Sequence, residues 1–559
     1  MKTILNKLLL IAVASLGFVT LVSCSDDDDA TLDRLFRPIL KDVVTGLGAE
    51  NKPYMTLEWD KYASANMYVA RIESTDGKDV KEITTEENTC TFNDLAYDQD
   101  YNVYIYSMNT ETGLQSKEYT TIATTPDLPT LLANISTSNI IDTQVRVKWS
   151  DGAVYDSLAV VNDLTNELAA YHLVTPEDLT AENVIIRNLE PSTAYRVEAY
   201  LDKAYQGKKR FTTAASENYE GTVIDLRSMT EEESYKWFSM SSTSKYENAI
   251  DSLVKTYPDQ DITIVFQGGV KYRIPTVNIP STTGKIKFVT GLTLSGNAEF
   301  CVTGSMAVAS NANVNELAFD KISFIDDESK PKTSSNYGGT YLFNFNQANA
   351  TCGKINIKDS EIKYKRGVCR IQTTASIDEF CIDNCIVDSI GGYGITNADN
   401  ANALINNVVV KNSTLSNCAL VFVATKGPDF KSVTVENCTF VYSVAKSRYL
   451  FNFKGKSVAD GIVLKNCLFG VTGETPKKLS DAFSGWVGNT VPEASGLYFT
   501  NDLKWKMTTA EPPEPEAQFD GITLSTDTKG TFANPETGDF RIINTAELKD
   551  SHPGDPRWY

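Results

Sequence analysis

Between Lys354 and Gln372 the chain carries six basic residues, Lys354, Lys358, Lys363, Lys365, Arg366 and Arg370, against only Asp359 and Glu361. In a protein of formal net charge −20, this local reversal would attract carboxylates while the surrounding acids limit nonspecific binding. Solubilising charge at turns is the simpler account of the same residues. Amides and further cations recur nearby: Asn344, Asn346, Arg370, Gln372, Thr396, Asn452 and Lys454 take the outward places of short alternating strands, and Lys446, Arg448 and Tyr449 lie in the turn before the last of them. Amides and guanidinium match hydroxyl and carboxylate groups. The row reads either as a sugar-facing surface or as an ordinary solvated sheet face.

Other chemistries lack residues. The two histidines, His172 and His552, leave a His-based zinc site or a Ser-His-Asp triad without material. No carboxyl pair stands out at outward strand positions as glycoside hydrolysis requires, although loops could gather Glu361, Asp388 and Asp399. Asp378, Asp383 and Asp388 are scattered through one coil, so calcium has no clear cluster and no cofactor is expected. The net charge argues against nucleic acid, which needs a basic footprint.

The elements that must position these residues announce themselves by repetition. One phrase occurs five times, as Ile357-Lys-Asp-Ser-Glu-Ile362, Ile382-Asp-Asn-Cys-Ile-Val387, Val410-Lys-Asn-Ser-Thr-Leu415, Val435-Glu-Asn-Cys-Thr-Phe440 and Leu464-Lys-Asn-Cys-Leu-Phe469. Its turn positions, Asp359, Asn384, Asn412, Asn437 and Asn466, are spaced by 25, 28, 25 and 29 residues. That is the period of one coil of a parallel β-helix, in which stacked Asn side chains form a hydrogen-bonded ladder. Lys321 takes the same position one coil earlier, so the ladder begins at Asp359. The slot after the ladder residue holds Ser360, Cys385, Ser413, Cys438 or Cys467, an exchange that argues for packing size, although Cys438 and Cys467 lie within disulfide reach.

Ahead of the repeat, Lys245 to Tyr257 places Ala249, Ile250, Leu253 and Val254 on one helical face, as expected of a cap over the open end of a solenoid. Ile262-Thr-Ile-Val-Phe266, Gly268-Gly269, Val277-Asn-Ile279 and Ile286-Lys-Phe-Val289 then resemble the entry coils of pectate-lyase-like right-handed β-helices. The resemblance covers 217–559, with Trp486, Trp505 and the segment through Trp558 read as a C-terminal cap. It implies that Arg370, with Lys365 or Arg366, would be the catalytic constellation of a metal-independent polysaccharide lyase acting on a uronate polymer by β-elimination. Such a base needs a depressed pKa, which burial among cations can provide.

Two smaller domains precede the helix. Residues 31–125 contain Tyr54-Met-Thr-Leu-Glu-Trp59, Met67-Tyr-Val-Ala-Arg-Ile72 and Tyr101-Asn-Val-Tyr-Ile-Tyr106, and resemble a fibronectin type III domain. Residues 128–215 repeat the pattern with Val145-Arg-Val-Lys-Trp149 and the corner Leu189-Glu-Pro-Ser-Thr-Ala-Tyr195. The expected fold is all-β: two fibronectin type III-like β-sandwiches, then a right-handed parallel β-helix with a helical N-terminal cap. At the N-terminus, basic Lys2 and Lys7, apolar Leu8 to Val22 and Leu21-Val22-Ser23-Cys24 resemble a bacterial lipoprotein signal, with 1–23 removed and Cys24 lipidated. The tether 24–30, with Asp26 to Asp29, resembles the surface-export signal of Bacteroidota lipoproteins. The expectation is a lipid-anchored outer-membrane protein facing the cell exterior. It would bind an acidic polysaccharide beside a glycan transporter complex. The lyase above, and an adhesin or structural surface protein, are the alternatives.

Overall fold

The computed structural model describes residues 33–239, 249–326, 340–419, 423–445, 448–475, 478–479 and 484–559. The proposed signal, Cys24 and the acidic tether lie outside them, as do Lys446 and the first turn of the expected helix. The chain divides into two compact units, 1–131 with 199–208, and 132–198 with 209–559.

In the first sandwich, strands Leu40–Leu47, Pro53–Trp59 and Thr89–Phe92 form one sheet, and Val80–Thr85, Met67–Ser74, Asp100–Met108 and Tyr119–Thr124 the other, in those spatial orders. This is the strand order of a fibronectin type III domain. Alternation puts Met55, Leu57 and Trp59 inside together with Tyr68 and Tyr101. The Tyr101 hydroxyl accepts from the Ala96 N–H at 3.3 Å and donates to Asp79 at 2.6 Å, which pins the corner. In the second sandwich the Tyr195 hydroxyl makes the first of these bonds, accepting from the Glu190 N–H at 3.0 Å, and Trp149 is buried edge-on against Tyr155.

From Thr222 onward the chain winds into a right-handed parallel β-solenoid of about eight turns. Among the described residues eight turns supply a strand to each of three sheets, and the first two sheets gain two further strands each at the ends. The first sheet runs from Thr222–Asp225 to Glu493–Ser495, the second from Lys271–Ile274 to Ile522–Thr523, and the third from Val277–Ile279 to Ser484–Val487. Neighbouring strands pair in register from coil to coil. The aliphatic residue that opens the repeated phrase is one unbroken inward column: Ile264, Phe288, Phe319, Ile357, Ile382, Val410, Val435, Leu464 and Ala494. Identical columns of apolar side chains stack at the strand spacing of about 4.8 Å. Phe288 and Phe319 stack at 4.8 Å between ring centres, and Phe440 and Phe469 at 4.7 Å.

The N-terminal end is closed by helices Glu231–Phe238 and Ala249–Thr256. Phe238 is fully buried against Phe266, and Ile250 and Val254 join the same core. At the other end Trp486, Trp505 and Phe519 pack over the last coil. The chain then turns back. Leu524, Phe532, Phe540 and Leu548 cover the outer face of the second sheet, where Val441 and Leu468 replace the polar outward residues of earlier coils.

The last residues form a strap along the stacked turns. The Gly554 N–H donates to the Asn466 carbonyl at 2.8 Å and that of Asp555 to Thr439 Oγ1 at 2.9 Å. Thr414 Oγ1 donates to Asp555 at 2.7 Å and accepts from Trp558 Nε1 at 2.6 Å, while Arg557 donates to the Asn384 amide oxygen at 2.8 Å. Seven residues thus cross four coils against the direction of winding.

Asp359, Asn384, Asn412, Asn437 and Asn466 all have φ between 50° and 53°, the left-handed turn that Asn and Asp tolerate best, and Lys321 shares it at 57°. The side-chain ladder is interrupted once. Asn384 donates to Asp359 at 2.5 Å, Asn437 to Asn412 at 3.0 Å and Asn466 to Asn437 at 2.8 Å, but Asn412 donates to Asp383 at 2.9 Å instead of Asn384. The Asn384 oxygen is taken by Arg557 of the strap. The small slot behind the ladder is buried throughout, and the thiols of Cys385, Cys438 and Cys467 are free and bond to backbone carbonyls.

Candidate functional site

The six cations of 354–372 do not form one patch, because a coil turns through three faces within that span. Lys354 lies on the first sheet against Glu379 at 2.7 Å, and Lys358 is on the same face. Lys363 is on the second sheet, 2.7 Å from Glu361. Lys365, expected beside Arg370 in the catalytic constellation of a lyase, is fully buried inside the solenoid, where its ammonium donates to the Ile325 carbonyl at 2.8 Å and lies 3.8 Å from Asp326. It follows the left-handed residue Tyr364, and the turn there points it inward.

Arg366 and Arg370 do come together, on the outer face of the third sheet. Gly367 explains how. It pairs with Tyr341 of the coil before, and a Cβ there would sit 2.8 Å from Tyr393 Cβ of the coil after and 3.2 Å from the Tyr341 ring. The missing side chain lets two tyrosines from coils on either side meet edge to face at 5.3 Å. Both arginines lie over these rings. The Arg370 guanidinium carbon is 4.2 Å from the Tyr393 centroid and 5.4 Å from that of Tyr341, and Arg366 lies at 4.8 and 5.6 Å.

Arg370 is held on every side. Its Nε and Nη2 donate to one carboxylate oxygen of Asp399, at 3.1 and 2.5 Å, and its Nη1 to the Tyr341 hydroxyl at 2.9 Å. Gln372, with its amide oxygen turned inward, accepts from Nε at 3.2 Å. Asp399 also receives Lys426. Burial would raise the Asp399 pKa, but Lys426 and Arg370 together hold it below the ordinary carboxylate value. The Tyr341 hydroxyl is raised by burial, against the pull of the two guanidinium groups.

The outward row of the third sheet is Asn344, Arg370, Asn397, Ala424 and Asn452, read directly from the strand register. Thr396, expected outward, is 1% exposed and pairs with inward Cys369 and Val423; its neighbour Asn397 faces out instead. The strand of that coil starts one position later than the alternation from Tyr393 implies, and a one-residue slip exchanges the two faces. Asn344 and Asn452 face outward, each with a buried, unpartnered amide oxygen. Asn346, Arg448 and Lys454 are exposed at the margins.

Tyr341, Tyr393 and Lys426 were not among the sequence candidates. The available signal was Tyr341, Gly367 and Tyr393 at one position of three successive coils, visible once the coils are aligned. Asp399 belongs to this face, whereas Glu361 and Asp388 lie on the second sheet, so loops do not gather the three carboxylates. Among the described residues no group of three or more His, Cys, Asp or Glu is placed to hold a metal ion. A hollow of about 690 Å³ lies at another corner, lined by Asp259, Thr283, Asn313 and Asn315, and contains none of the candidates.

Fold and site together define a parallel β-solenoid with sandwich domains ahead of it and a cation–aromatic cluster on one sheet. Comparison places family matches within the solenoid. The family described as "Domain of unknown function (DUF4957)" matches residues 271–418, which contain the cluster, and that described as "Domain of unknown function (DUF5123)" matches 433–558. No curated protein matches the chain. Among solved structures, a two-domain fibronectin type III segment of chicken tenascin is similar at 16% identity, with 32% of this chain and 100% of that one covered and a TM-score of 0.17. The FN1–FN3 domains of chicken CNTN1 are similar at 15% identity, with 31% and 66% covered and a TM-score of 0.14.

Proposed function

We propose that the chain is a surface-exposed outer-membrane lipoprotein of the Bacteroidota type that binds an acidic polysaccharide for a glycan-uptake system. The observation that carries the reading is the pair of guanidinium groups over two tyrosine rings on the outer face of the third sheet. The half-buried Tyr393 offers the apolar side of a sugar ring an aromatic contact, with Tyr341 buried, and a guanidinium offers its carboxylate a planar pair of donors. Asn344, Asn397 and Asn452 extend the face with amides two coils apart, with Arg370 and Ala424 on the coils between. The anchor rests on Leu21 to Cys24 and the acidic run behind it, with the sandwiches as spacers. No helix of the described residues is long and apolar enough to cross a membrane.

Binding is favoured over β-elimination by the state of Arg370. All three nitrogens of the Arg370 guanidinium already donate, to Asp399 and Tyr341, so none is presented to a substrate as a proton acceptor. Lys365, the second candidate base, is inside the solenoid. The test is to incubate the full chain, in detergent, with uronate-containing and neutral polysaccharides and to follow gel retardation together with the ultraviolet absorbance of unsaturated sugar. Retardation by uronate polymers without new absorbance is expected. Absorbance that vanishes in Arg370→Ala would establish the lyase instead, and neither signal would leave the adhesin reading.

A further inference from the structure

We propose that Arg366, rather than Arg370, is the anion receptor of this face: it takes one carboxylate or sulfate group of a sugar unit lying against Tyr393, and Arg370 is a positioning residue. This inference rests on the glycan-binding reading above. Its basis is that the two guanidinium groups, though neighbours, are in opposite states.

Arg370 has its Nε, Nη1 and Nη2 all engaged by Asp399, Tyr341 and Gln372. Its charge is balanced by Asp399, which Lys426 shares. An incoming anion would have to displace a carboxylate already bound. The Arg366 side chain, in contrast, makes no hydrogen bond or ion pair among the described residues. Its Nε is shut off from solvent without an acceptor, and its plane is held over Tyr393 and Tyr341. The remaining donors of a guanidinium form a fork that fits two oxygens of one anion.

The contrast with the rest of the solenoid strengthens the assignment. Lys354, Lys363, Lys411, Lys431 and Lys465 each lie within 3.4 Å of a carboxylate oxygen. Among the described residues the Arg366 side chain is left unpaired in an acidic protein, and it is held against two rings. With Arg370 neutralised by Asp399, the site offers one receptor, and so takes one anionic group at a time. Carboxylate and sulfate share this chemistry.

The test measures affinity of the full chain, in detergent, by calorimetric titration with three oligosaccharides matched in length: a uronate, a sulfated neutral sugar and an uncharged sugar. The variants are Arg366→Gln, Arg366→Lys, Arg370→Gln and Arg370→Lys, each first checked for an unchanged thermal transition. Wild type is expected to bind one or both anionic sugars and the uncharged one at least about 10-fold more weakly, the loss of one charged hydrogen-bonding partner. Arg366→Gln should lose about 10- to 100-fold for the anionic sugar and little for the uncharged one. Arg366→Lys keeps the charge but not the planar fork, and should recover only part of that loss. Arg370→Lys and Arg370→Gln should weaken all three sugars alike, the uncharged one included, and keep the preference for the anionic sugar. The proposal is overturned if Arg366→Gln and Arg366→Lys bind the anionic sugar as wild type does, or if the Arg370 variants alone lose the anion preference; the glycan-binding reading would survive either result. If folded wild type binds none of the three sugars, that reading falls, and this inference with it.

Discussion

Gly367 shows how one absent side chain can create a site. Its φ is not in the left-handed region, so alanine there would suffer no backbone strain. The cost would come from a Cβ placed 2.8 Å from Tyr393 and 3.2 Å from Tyr341. Gly367→Ala should therefore destabilise by about 1–3 kcal/mol through overpacking and part the two rings, and sugar binding should weaken although both arginines remain. Melting and titration on the same sample would check this. A second prediction concerns Asp399. Its carboxyl is held below the ordinary value when folded, so its contribution is present above about pH 4 and is lost as pH falls through the depressed value. Asp399→Asn should flatten that part of the acid limb of a stability–pH curve, and an unchanged limb would show that Arg370 and Lys426 do not hold the carboxylate in solution.

The elements were more legible than the site, for a physical reason. A parallel coil repeats its demands at fixed intervals, so the left-handed turn appears as Asp359, Asn384, Asn412, Asn437 and Asn466, and the inward column as the aliphatic residue before each. The site depends on where a coil turns its faces, which the linear order conceals: six cations within nineteen residues spread over two outer sheet faces, one interior position and the Arg366–Arg370 cluster. Thr396 was misplaced because it follows a turn that shifts the alternation by one, and the inward direction of Lys365 is set by the left-handed turn at Tyr364, which no alternation reveals. Once the faces are known, another pattern emerges on the first sheet, where Asp320, Lys358, Asp383, Lys411, Glu436 and Lys465 alternate in sign along one column. Asp383→Lys would set three lysines in succession and also remove the acceptor of the Asn412 amide, and should cost about 2 kcal/mol, of which only the charge part falls with added salt. The ladder gives a sharper test. Asn437→Ala removes two amide hydrogen bonds and puts alanine at φ 52°, for about 2–4 kcal/mol, while Asn437→Gly should recover about 1 kcal/mol by relieving the backbone alone.

At the scale of the whole molecule, a solenoid is stabilised by contacts between neighbouring coils, so it is expected to fray from its ends. This one is tied differently. Helices close its first coil, and the strap at 553–559 joins four later coils directly, with Asp555 wholly buried between Thr414 and Thr439. Within the second unit, Arg227 also links the first strand to the second sandwich, reaching Asp142 at 3.1 Å and Asp225 at 2.8 Å. Removing residues 553–559 should raise amide exchange in Thr414–Ser416, Thr439–Val441 and Leu468–Phe469, and leave Lys271–Ile274 and Ala298–Val302 unchanged. Equal exchange in both sets would show that the strap contributes no cooperativity.

The strap also sets an order of events in synthesis. Every coil it touches is made before it, since Asn384, Thr414, Thr439 and Asn466 all precede Gly554 in the chain. Coils emerging one after another can stack as they appear, but the edge along these four turns stays unsealed until the tail arrives. A chain halted before residue 553 would therefore carry a complete Arg366 site on a solenoid whose later half is still open, so a newborn molecule gains its sugar-facing surface before it gains its final resistance to unwinding.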